Sequence, residues 1–267
     1  MWAVWGDNRD AELINLLLSA DQVNADVQDE TGRSALSGAS SSGCTTGVRF
    51  LLEKGVNVDL PDENANTPLI MATVEDHSDA VELFLTTGAD INARNSRFMT
   101  PVSLAVSNGT VKAMKVLLAH PNVDLDCRSH QGFTPLLFAT QGGHSVVVQL
   151  LLSNDAVNVN AHDYENDTPL NIATKWNHVK IVNLLLRKDG INLNAKDQSS
   201  KTPLVLAAGC GSREVVEMLL AKDGIELNPR DCDDKTPLGI AAMMGHREIV
   251  ELMVQKPGVH TDIENVY

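Results

Sequence analysis

Apolar and polar positions along this chain recur as a block of fixed length. Thr-Pro-Leu or a near copy stands at Thr67-Pro68-Leu69, Thr100-Pro101-Val102, Thr134-Pro135-Leu136, Thr168-Pro169-Leu170, Thr202-Pro203-Leu204 and Thr236-Pro237-Leu238. Successive threonines are 33, 34, 34, 34 and 34 residues apart. A degenerate copy, Ser34-Ala35-Leu36, precedes them by 33 residues. Five residues after each threonine comes an alanine: Ala72, Ala105, Ala139, Ala173, Ala207 and Ala241. A Gly-His-like pair follows (Gly143-His144, Asn177-His178, Gly245-His246), then a second apolar block such as Ile181–Leu186, then a polar stretch.

Each part predicts an element. Threonine is a helix N-cap, and proline fits the first helical position because its missing N–H has no partner to lose there. Leucine and alanine then mark the buried stripe of a short helix, which Gly or Asn ends in a left-handed turn. The second block is apolar at i, i+1, i+4 and i+5, so it forms a second helix with one broad buried face. The polar stretch projects as a finger. Helices this short are marginal alone, and each unit must bury its exposed face on its neighbours.

This 33/34-residue period with its Thr-Pro-Leu-x-x-Ala signature resembles the ankyrin repeat family. The resemblance covers nearly the whole chain and implies an all-α solenoid of stacked helix-turn-helix units with finger loops. Its units are a partial one over 1–28, a degenerate one over 29–61, then 62–94, 95–128, 129–162, 163–196, 197–230 and a terminal one over 231–267. In the partial unit, Ala11–Leu18 matches a second helix. The extra residue of the 34-residue units is similar to ankyrin arrays common in fungi. One departure concerns the family's signature His, replaced by Ile70, Ser103, Leu137, Asn171, Val205 and Gly239. The inter-unit hydrogen bonds of that His are therefore expected to be absent. A second departure is the run Ser34–Gly43, whose serines and glycines are poor helix formers, so residues 1–60 are expected to be the least stable part.

Composition removes several function classes. Hydrophobic residues make up 43% and charged residues 21%, as in folded soluble chains. No stretch approaches the roughly 18 apolar residues of a membrane span. Met1–Asp7 has no basic or apolar run of a secretory signal, so a cytoplasmic or nuclear site is expected. The net charge of −14 repels phosphate backbones and anionic lipid, which argues against nucleic-acid or membrane partners. Cys44, Cys127, Cys210 and Cys232 form no C-x-x-C pair and read as reduced thiols.

Catalytic chemistry finds no constellation. His77, His144, His178 and His246 share one slot and belong to the scaffold's turn. His130 and His162 fall on adjacent fingers but lack thiol or carboxylate partners at metal-ligand spacing. Asp231-Cys232-Asp233-Asp234 lacks the Glu of a calcium loop and reads as a solvated finger. There is no G-x-S-x-G, P-loop or G-x-G-x-x-G, and no cofactor or metal is expected.

What remains is surface. Large or apolar residues at variable positions are Phe98 and Met99, His130 and Phe133, Tyr164, Trp176, Met243 and Met244, with Lys175 and Lys201 beside them. Such residues are what interface centres use. Phe133, Tyr164 and Trp176 are expected to form an apolar strip on the concave face, edged by Lys175 and Lys201. The expected function is a non-enzymatic, monomeric scaffold for a protein partner. Two alternatives stand beside it: a transcription coregulator acting through DNA-binding proteins, and the targeting region of a larger enzyme, since Ile249–Val254 stays apolar where a terminal cap turns polar. The family resemblance also implies that a finger-base asparagine can be a substrate of an asparaginyl hydroxylase, and the context of Asn92 fits that best.

Overall fold

The structure, a computed structural model, describes residues 24–261. The helix expected over Ala11–Leu18 lies outside the described residues. The chain divides after His130 into two compact units. In the first, the helices are α1 (Ala35–Ser42), α2 (Thr45–Glu53), α3 (Pro68–Val74), α4 (Ser78–Thr86), α5 (Pro101–Asn108) and α6 (Val111–Ala119). The second holds α7 (Pro135–Gln141), α8 (Ser145–Leu152), α9 (Pro169–Lys175), α10 (Val179–Leu185), α11 (Pro203–Cys210), α12 (Arg213–Leu220), α13 (Pro237–Met243) and α14 (Arg247–Val254). No strand occurs among the described residues.

Helix starts follow the capping chemistry. Thr67 Oγ1 accepts from the Ile70 N–H at 3.4 Å, and Thr134, Thr202 and Ser34 do the same for Leu137, Val205 and Ser37. Losing such a cap costs about 1 kcal/mol. The turn between paired helices always contains one left-handed residue: Gly43, Asp76, Gly109, Gly143, Asn177, Gly211 or Gly245.

Within each unit the pairs stack. First helices pack on first helices, α1 on α3 on α5 and, separately, α7 on α9 on α11 on α13. Second helices do likewise, α2 on α4 on α6 and α8 on α10 on α12 on α14. The Leu and Ala of the repeated block fill this core, with Leu69, Ala72, Leu136, Ala139, Leu170, Ala173, Leu204 and Ala207 wholly buried. From the second helices come Val81, Phe84, Val148, Leu151, Val182, Leu185, Val216 and Leu219, also wholly buried. No single pair could bury these faces by itself.

Histidine bonds between repeats are nonetheless present, made from a slot other than the signature one. His77, His178 and His246 precede the second helices. Each ring reaches back to the preceding repeat. Nε2 of His77 lies 3.2 Å from the Ser41 carbonyl oxygen, and that of His246 lies 3.1 Å from the Gly209 carbonyl oxygen. His178 Nε2 stands 3.4 Å from the Gln141 carbonyl oxygen. In the signature slot a smaller residue sometimes keeps a polar link. Buried Asn171 accepts from Thr168 Oγ1 at 3.1 Å and donates to the Ala195 carbonyl at 3.3 Å.

The serine-rich α1 folds, with Leu36 and Ala39 buried. Its hydroxyls turn back on their own helix: Ser37 Oγ donates to the Ser34 carbonyl at 2.9 Å and Ser40 Oγ to the Leu36 carbonyl at 2.6 Å. Such back-bonding weakens a helix slightly, and each glycine adds roughly 0.5–1 kcal/mol. We expect amide protons in Ser34–Gly43 to exchange faster than those in Val179–Leu186. Equal protection in a hydrogen-exchange experiment would refute this.

Candidate functional site

The fingers are built by one side-chain device. A carboxylate or amide oxygen five residues before the capping Thr or Ser accepts two backbone N–H groups. Asp62 Oδ1 takes Asn64 N at 2.9 Å and Asn66 N at 2.8 Å, and Asp29, Asn95, Asp163, Asp197 and Asp231 repeat the pattern. This turn puts the residue two before the cap at positive φ: Gly32, Ala65, Phe98, Gly132, Asn166, Ser200 and Asp234. Deeper in the finger, asparagines tie neighbours together. Asn92 Nδ2 donates to the Asn122 carbonyl at 2.8 Å, and its Oδ1 accepts from Asp124 N at 2.9 Å. Asn160, Asn194 and Asn228 make the same two bonds. Asn92 therefore holds two fingers in register, as do its three counterparts.

The surface residues separate into three groups. Phe98, His130, Tyr164, Trp176, Met243 and Met244 are exposed. Met99 is not: at 7% exposure it lies in the core, because the residue just before the cap turns inward there. That corrects its place among the partner-facing residues. Phe133 occupies the same slot and is half-buried, its ring tilted against Phe138 with centroids 5.1 Å apart. Tyr164 sits on a finger tip, its ring 3.0 Å from where a Cβ on Gly132 would stand. Trp176 is the C-cap of α9. Phe133, Tyr164 and Trp176 thus occupy three different slots and do not form a row of equivalent positions.

Lys175 is also not a free edge charge. Its Nζ lies 2.6 Å from Asp167 Oδ2 and 3.2 Å from Asp197 Oδ2, both carboxylates being 6% exposed. Burial raises the Asp167 carboxyl above its ordinary value, outweighing the lowering by Lys175. Burial opposes the charge on Lys175, yet Asp167 and Asp197 together hold its ammonium above its usual value. Asp167 Oδ1 is buried without a hydrogen-bond partner. Lys201 is half-buried, and its backbone N–H closes the Asp197 turn at 2.9 Å.

Sequence reasoning missed this ion cluster although a signal was available. Asp167 is the only acid in the slot before the cap, and Lys175 is the only base seven residues after a cap. Two deviations in one repeat, eight residues apart, mark a pair. No group of three or more His, Cys, Asp or Glu among the described residues is placed to hold a metal ion. Cys127 is buried, its thiol pushed up by desolvation, and lies 3.0 Å from Thr100 Oγ1. No helix among the described residues is long and apolar enough to cross a membrane.

A family model for ankyrin repeats, three copies long, matches residues 1–95, 102–197 and 190–265. No curated protein matches the chain. Matches over nearly all of its length, on stacked helix pairs whose caps, turns and fingers repeat at one period, place the chain in the ankyrin repeat family, whose repeats are generally protein–protein interaction modules.

Proposed function

We propose that the chain is a non-enzymatic scaffold that works as a monomer inside the cell and holds a protein partner on the concave side of its repeats. The observation that carries this is the exposure of Tyr164, Trp176, Met243 and Met244, each with half or more of its surface open. The packing slots around them are filled by buried Leu, Ile and Ala. Large side chains left outside a complete core are available to a partner, and aromatic residues are what partner contacts concentrate on. Trp176 and Met244 hold the same slot two repeats apart, with the exposed Cys210 in that slot between them. The acid excess disfavours nucleic acid as the partner of this surface.

The test separates binding from folding. Trp176→Ala and Tyr164→Ala should each weaken partner capture by about 2 kcal/mol, roughly thirtyfold. Each should change stability by only about 0.5 kcal/mol, because little buried area is lost. Wild type and variants are compared in affinity capture from one lysate, and in thermal melts. A collapsed melt would make these rings structural. Full capture by both variants would move the interface elsewhere.

A further inference from the structure

We propose that the finger tip formed by Arg97, Phe98 and His130 is a second docking surface, built for an acidic peptide segment. It lies in the first unit and stands independently of the reading of Trp176.

The first ground is a bulky ring in a slot that every finger holds in the left-handed region. Phe98 is held at φ 59°, in the left-handed region, where a bulky side chain is disfavoured. The turn itself closes through Asn95, whose Oδ1 accepts from Arg97 N at 3.0 Å and from Met99 N at 3.1 Å. The same slot holds glycine at Gly32 and Gly132, so the turn works without a ring. Ala65, Asn166, Ser200 and Asp234 fill the slot elsewhere, so Phe98 alone puts an aromatic ring there, where the turn has no use for one.

The second ground is what the ring does. Half of Phe98 is exposed, and it stacks on His130 with centroids 5.5 Å apart and planes 22° from parallel. The His130 N–H donates to the Arg97 carbonyl at 3.1 Å, which fixes the two tips side by side. The pair makes a flat aromatic platform on two adjacent fingers.

The third ground is charge. The sequence has no Asp or Glu between Asp90 and Asp124, and Arg94 and Arg97 stand in the finger part of that interval. Arg94 and Arg97 are exposed and make no ion pair among the described residues. Asp124 Oδ1 accepts from Asp126 N at 3.0 Å and Asp62 Oδ1 closes its own turn, which fixes both carboxylates in place while leaving them charged. Exposed Glu63, on the preceding tip, bounds the patch on that side. Screening acts over about 8 Å at physiological salt, so the local arginines govern a short segment despite the negative net charge. A longer polyanion would meet the acidic remainder of the chain, which favours a peptide over nucleic acid.

The probe is a short fluorescein-labelled peptide alternating Glu and Ser, with a Gln/Ser peptide and a thymidine oligonucleotide of equal charge as comparisons. Titrated with the full chain, the Glu peptide should bind, and more weakly as salt is raised. The Gln peptide should not bind. Arg97→Gln and Phe98→Gly should each weaken the Glu peptide about tenfold. Phe98→Gly should also melt a few degrees higher, because the left-handed turn is relieved. The proposal is overturned if the Glu peptide fails to bind, if both peptides bind alike, or if either variant binds as wild type does. It is equally overturned if the oligonucleotide binds more tightly than the peptide. A lower melting temperature for Phe98→Gly would make the ring a packing element and overturn it too.

Discussion

Gly211→Ala should destabilise the repeats around it by about 2–3 kcal/mol, although it adds one methyl group. Two costs combine. Gly211 sits at φ 72°, where any Cβ is penalised by roughly 1–2 kcal/mol. The new Cβ would also stand 2.7 Å from Cε1 of His246. The imidazole must move, and its contact with the Gly209 carbonyl is then lost at about 1 kcal/mol. An internal control exists in the same slot. Gly245 has nearly the same backbone, φ 74°, but nothing within 4 Å of its ideal Cβ. Gly245→Ala should therefore cost only the backbone share, about 1 kcal/mol. Local opening energies across α11–α14 from hydrogen exchange measure both. Removing the ring by His246→Ala should bring the cost of Gly211→Ala down to that of Gly245→Ala. Equal costs for the two glycines in the natural background would show that the histidine is not a packing partner.

Lys175→Met should be nearly as damaging, for an electrostatic reason. It leaves Asp167 and Asp197, both 6% exposed, without their shared cation. Breaking a fully buried pair costs roughly 3–5 kcal/mol. The Lys175 side chain keeps 31% exposure, so solvent screening reduces this to about 2 kcal/mol. The pH dependence follows from the two shifts. The folded Asp167 pKa lies above its ordinary 3.8, so its ionised form is the costly one. Stability from this group is lowest at neutral pH and is regained as pH falls through the folded value toward 3.8. Lys175 acts in the same sense, in an alkaline window. Its pKa is raised above 10.5, so its contribution is complete below 10.5 and lost as pH rises through the folded value. The deficit of Lys175→Met should accordingly be large near about pH 7 and shrink near about pH 4, where Asp167 takes up a proton. Adding Asp167→Asn should restore part of it. Urea denaturation at the two pH values measures this, and a deficit independent of pH would assign the loss to packing of the lysine stem.

Much of this architecture is readable from local chemistry. Thr67, Thr134 and Thr202 cap helices because capping needs only a hydroxyl, an extended backbone and the next few N–H groups. Leu69 and Ala72 are buried because the block they belong to recurs, and recurrence alone requires neighbours to cover them. The absence of the signature histidine is equally legible. What cannot be read locally is where a side chain goes when its partner lies in another repeat. His246 meets a carbonyl in the preceding repeat, so a missing histidine in one slot says nothing of a bond made from another. Met99 and Phe98 are adjacent in sequence, yet the turn set by Asn95 sends one inward and holds the other out in a disfavoured backbone. Lys175 reads as a surface charge until stacking brings Asp197 of the next finger to its ammonium. The period of the sequence determined the fold, since each unit repeats one local solution. The surface was decided by tertiary structure, since a side chain's partner can stand in another repeat, as Asp197 does for Lys175 and Gly209 for His246.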